Sequence, residues 1–174
     1  MRAIRRPRRA TAADHALPRD LASRLIRELT RRGVDYADVR YEHLLHESLV
    51  AEQGRVSSIS LSESAGMGIR VLVKGSWGFA STPHLSLTRL MQAATQAIDL
   101  AKACATLNKS PRPLAAVKPV KARHASRCAV DPFDVPLAKK LDYLLWANTT
   151  LLGPEAIKRA RSHMDFFKRR KLFW

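Results

Sequence analysis

The chain has 174 residues, 46% of them hydrophobic, enough for one domain, or one and a fragment of another, to bury a core. Lys and Arg number 31 against 15 Asp and Glu, a formal charge of +16. Such an excess draws a chain towards nucleic acid or anionic surfaces without any dedicated site. The only cysteines, Cys104 and Cys128, exclude a disulfide framework or Cys-x-x-Cys motif, and no apolar run is long enough to span a membrane. Free thiols in a reducing cytoplasm are expected.

The start, MRAIRRPRRA, is arginine-rich. Arg5-Arg6 suggests twin-arginine export, but the following Thr11-Ala12-Ala13-Asp14-His15 is not the apolar segment such a signal needs. Residues 1–16 therefore read as a disordered basic tail, and the domain proper as 17–107. Leu17 to Arg32 reads as a helix. Pro18 suits its first turn, Leu21, Leu25, Ile26 and Leu29 form one apolar stripe, and Gly33 stops it. Arg24, Arg27, Arg31 and Arg32 fall largely off the stripe, on a solvated face.

Tyr36 to Gln53 is β-rich, with a break expected at His46-Glu47 before alternation resumes at Leu49 and Ala51. Gly54 ends the run. Arg55 to Leu61 alternates again with a slip at Ser57-Ser58 that suits a bulge, and Ser62 to Ala65 reads as a link. The stretch Gly66 to Ser81, GMGIRVLVKGSWGFAS, follows. Ile69, Val71 and Val73 alternate, Gly75-Ser76 fits a tight turn, and Trp77 and Phe79 share one face of the returning strand. As the centre of a sheet, this hairpin is expected to bury both rings in the core. Its glycines mark backbone approached closely, by a packed helix rather than a ligand. The whole predicts an antiparallel meander of about four strands.

Ser86 is a plausible N-cap for a second helix within Ser81 to Leu107, with a stripe of Leu87, Leu90, Met91, Ala94, Ile98, Ala101 and Ala105. These elements predict an α+β fold, a sheet flanked by helices. Pro111, Pro113 and Pro119 among basic residues mark 108–130 as a linker. Within 131–174, Asp131-Pro132-Phe133-Asp134 offers a cap for a third helix near Val135 to Thr149, striped by Leu137, Leu141, Leu144 and Leu145. Propensity allows another helix over Pro154 to Phe167.

Three ordered blocks resemble a known family. Gly66, Gly68, Arg70, Val71, Gly75, Trp77, Gly78, Phe79, Ala80 and Ser81 match one signature; Tyr36-Ala37-Asp38-Val39-Arg40 and Gly54-Arg55-Val56 match two more upstream. They resemble the N-terminal domain of the TldD/PmbA family, metallopeptidases once called modulators of DNA gyrase. The resemblance is clear from Leu21 to Leu107 and looser beyond. It implies a lysine on the third helix, where Lys139 and Lys140 stand, and two strands, Ile157–Ser162 and Phe166–Phe173, in place of the helix that propensity allows.

Active family members carry zinc on a C-terminal helix with histidine-glutamate-x-x-x-histidine and a later cysteine. The two histidines share one helical face, and the glutamate can activate a zinc-bound water. These 174 residues contain no such motif, so the resemblance implies the front part of such a protein: a truncation, a frameshift product, a split gene or a deliberate fragment. No cofactor is expected in this chain, against zinc in the intact family. His43-Leu44-Leu45-His46-Glu47 is not an inverted zinc motif, since positions 43 and 46 of a strand face opposite ways; solvent-side strand and turn residues are expected there. Gly66-Met67-Gly68 lacks the third glycine and helix of a dinucleotide fingerprint. No catalytic, cofactor-binding or metal-ligating residue is assigned.

Two functions follow. One is the inactive N-terminal part of a peptide-hydrolysing, zinc-dependent cytoplasmic protein, pairing as homodimer or heterodimer with a family member. The other is a non-enzymatic basic module binding nucleic acid non-specifically, or an acidic partner. Neither involves a membrane. Leu172, Phe173 and Trp174, and a strand edge at 166–173, are expected to lack partners.

Overall fold

The computed structural model describes residues 18–111, 114–118 and 120–174; the basic tail expected at 1–16 lies outside them. Among the described residues the order is α1 (Arg19–Arg31), β1 (Tyr36–Glu52), β2 (Arg55–Val73), β3 (Ser76–Thr82), α2 (Leu87–Leu107), α3 (Leu137–Leu151) and β4 (Arg161–Phe173). The strands form one sheet in the order β3-β2-β1-β4. The α+β class with four strands is as the sequence predicts, but the strands divide the chain differently. β1 runs unbroken through His46-Glu47, and β2 runs unbroken through the serine-rich link and the glycines. The fourth strand is β4, a single strand where a hairpin or a helix was expected.

Both hairpin turns put two residues at positive φ: Gln53 and Gly54 (50° and 73°), then Lys74 and Gly75 (49° and 73°). That geometry matches the twist of antiparallel strands, and glycine adopts it without strain. The second turn sets Val73 opposite Ser76, Leu72 opposite Trp77 and Arg70 opposite Phe79.

The chain falls into two compact units. The first holds the described residues up to 42, 66–111 and 171–174. Its core joins Ala22, Leu25 and Leu29 of α1, Val39 and Tyr41 of β1, Met67, Ile69, Val71 and Val73 of β2, and the small-residue stripe of α2. Ser86 caps α2, accepting a hydrogen bond from the Arg89 N–H. Leu172 and Trp174 pack against this core, and Trp174 exchanges both backbone hydrogen bonds with Val39 at 3.0 Å. Those two residues therefore have the partners that the sequence reading denied them.

The second unit holds 43–65 and the described residues of 113–170. Leu49, Ala51 and Leu144 are buried, with Leu137, Leu141, Leu145, Met164 and Phe166 around them. Asn148 of α3 is fully buried and pins the hairpin tip. Its amide donates to Ala51 O and Ser162 Oγ, and its oxygen accepts from the Gly54 N–H at 2.7 Å.

Candidate functional site

The sheet of the first unit has two faces, and alternation decides which residue lies on which. Val39, Ile69, Val71 and Gly78 face the helices. A Cβ on Gly78 would overlap Ala97 O and lie 2.7 Å from Ala101 N, so α2 rests directly on that strand. The close approach is by a packed helix, as expected. Trp77 and Phe79, on either side of Gly78, must then point the other way. They are 40% and 57% exposed, which corrects the expectation that they are core residues.

The face they occupy is built around a buried acid. Asp38 of β1 has a side chain only 1% exposed. Arg40 Nε donates to its Oδ1 at 2.9 Å, and Arg70 donates to its Oδ2 through Nε at 2.7 Å and Nη2 at 2.6 Å. One carboxylate thus aligns two guanidinium groups by charge-assisted bonds. Each guanidinium also lies over a ring, Arg70 4.4 Å from the Trp77 centroid and Arg40 5.0 Å from that of Phe173. Tyr36 meets Trp77 edge to face at 5.8 Å. The Phe79 ring covers Gly68, where an added Cβ would come within 3.0 Å of it. Seven signature positions of the sequence, Tyr36, Asp38, Arg40, Gly68, Arg70, Trp77 and Phe79, therefore lie on one face of the sheet, around the buried Asp38 carboxylate. Sequence reading missed Asp38 as its centre. An acid followed at i+2, on the same strand face, by arginine was the available signal.

The histidine cluster belongs to the second unit and disperses as strand parity requires. His43 is buried rather than on the solvent side, and its Nε2 lies 2.7 Å from Glu63 Oε1. His46 Nε2 lies 2.8 Å from Asp165 Oδ1, with its ring stacked on Phe167 at 4.3 Å. His163 Nε2 meets the other oxygen of Asp165 at 3.0 Å. The hydrogen bond from His46, helped by Ser48 and the charges of His163 and His46, holds the Asp165 carboxyl below its ordinary value, against burial pushing it up. Glu47 pairs with buried Lys140, whose Nζ also lies 4.8 Å from the Phe166 centroid.

A zinc ion needs three or four donors converging on one point. Here the imidazoles of His46 and His163 meet different oxygens of one carboxylate, each already at hydrogen-bond distance. Among the described residues no three His, Cys, Asp or Glu side chains are placed to hold a metal. Cys104 and Cys128 are separate and exposed. The residues do not fit the family's zinc. Among the described residues, no helix is long and apolar enough to cross a membrane.

Residues 37–105, which carry Asp38, Arg70 and the Trp77 hairpin, match the model of PmbA/TldA metallopeptidase domain 1. The chain carries the first domain of the PmbA/TldD family. It is 31% identical over 132 residues to a metalloprotease of Methanothermobacter thermautotrophicus, covering 76% of this chain and 28% of that protein. It is 29% identical over 123 residues to the metalloprotease TldD homolog of Haemophilus influenzae, covering 70% of this chain and 25% of that one. TldE from Thermococcus kodakarensis shares the fold with a TM-score of 0.65 at 17% identity, over 88% of this chain and 34% of that chain. The chain thus spans about a quarter to a third of the length of these three relatives.

Proposed function

We propose that this chain supplies the first domain of a TldD/PmbA-like peptidase and does not hydrolyse peptides by itself. The observation that carries this is the match of residues 37–105 to domain 1 of a metallopeptidase family, in a chain spanning 28% of a relative named a metalloprotease. Zinc, the general base and the bond-breaking chemistry then belong to the parts of the relatives beyond the matched quarter. This domain contributes a rigid sheet, contacts to a second family member in a homodimer or heterodimer, and part of the groove for an extended peptide.

The test is reconstitution. A TldD homolog lacking its own first domain is mixed with this chain and assayed on an unfolded protein substrate with zinc. Chelator-sensitive hydrolysis that appears only in the mixture supports the reading. Equal hydrolysis with and without the chain contradicts it.

A further inference from the structure

The exposed rings and arginines of the first unit point to a ligand that stacks as well as carries negative charge. We infer that this sheet face binds single-stranded nucleic acid, with phosphates on Arg40 and Arg70 and unpaired bases on Phe79 and the outward guanidinium faces. The Arg40 side chain is 52% exposed and is held to Asp38 through Nε, which leaves both its Nη nitrogens for a phosphate. Arg70 is held by Nε and Nη2, which leaves Nη1. Asp38 cancels one of the two charges, so the pair keeps a net positive charge in a fixed position.

Both cations are immobilised before any ligand arrives, each with one guanidinium face on a ring. The opposite faces can stack on unpaired bases, as arginine planes and aromatic rings do at single-strand sites. Phe79 lies on the Gly68 backbone on one side and is open on the other. The chain's +16 charge favours a polyanion over an acidic peptide of few charges, and supplies the long-range attraction. Paired bases hide their faces, so a duplex gains only the charge term.

The experiment measures binding of the whole chain to a fluorescent oligothymidylate of about ten nucleotides, with an abasic phosphodiester and an oligoglutamate of equal length beside it. Charge alone, including that of the arginine-rich start, acts equally on the first two. Stacking predicts that the oligothymidylate binds at least about tenfold tighter than the abasic strand. A Phe79→Ala/Phe173→Ala variant should lose that preference while still folding cooperatively, because both rings are more than half exposed and leave no core cavity. Equal affinity for the thymidylate and abasic strands overturns the proposal. So does a double variant that folds and keeps the preference, or oligoglutamate binding as tightly as thymidylate.

Discussion

Gly78 of β3 and Ala97 of α2 meet without room for a methyl group between them. That contact sets the helix on one face of the sheet and sends Trp77 and Phe79 to the other. Gly78→Ala must move α2 or β3, because the two nearest obstructing atoms, Ala97 O and Ala101 N, are backbone. Overpacking of a rigid core costs about 1–3 kcal/mol, and a backbone clash belongs at the top of that range. Urea unfolding should show a loss of about 3 kcal/mol. A variant as stable as the parent would mean that α2 does not rest there.

Trp77→Ala should cost less than a core aromatic would. The ring keeps an edge-to-face contact with Tyr36 and a cation over its face, and little of its burial is deep. The expected loss is about 1–2 kcal/mol, against about 3–5 kcal/mol for a fully buried ring. Denaturant midpoints of the two proteins separate these ranges, and a loss above 3 would restore Trp77 to the core.

Which parts were legible in the sequence follows from what each signal reports. The stripes of α1 and α2 were readable because those helices bury one side only: Leu25, Leu29, Leu90, Ala94, Ile98 and Ala101 are all buried. Alternation in β3 correctly paired Trp77 with Phe79. It cannot say which face a helix covers, and the small residue between them held that information. The run 55–65 of β2 is exposed throughout, so burial does not enforce its alternation, which slips at Ser57-Ser58 and gives way at 62–65 to residues that read as a link. The Asp38–Arg70 pair joins residues 32 apart and depends on strand register, which one-dimensional periodicity does not contain.

Asp38 should matter more than its single charge suggests. Asp38→Ala leaves two guanidinium groups without their shared acceptor, and both are exposed enough to be partly rehydrated. A loss of about 2–3 kcal/mol is expected, below the usual range for breaking a fully buried pair. Asp38→Asn keeps one acceptor and should lose less. The check is a denaturation series, and equal losses for the two variants would show that the acceptor kept by Asn contributes nothing and that the carboxylate charge carries the whole interaction.

Acid should weaken the second unit through Asp165. Its carboxyl is held below its ordinary value in the folded chain, first by the His46 hydrogen bond. A depressed pKa contributes stability above the unfolded value, and this is lost as pH falls below about 4 towards the folded value. Asp165→Asn removes the group, so its stability should fall less steeply over that window. Parallel acid limbs for the two proteins in urea titrations would contradict the assignment.

The reading of this chain as a first domain without peptidase chemistry of its own is tested most directly by turnover. The purified 174-residue chain is incubated with unfolded casein and short peptides, with added zinc, with and without a chelator. The expected result is no cleavage above buffer in either condition. Chelator-sensitive hydrolysis by the chain alone would contradict the account, since it would require a metal centre that the side chains placed here do not form.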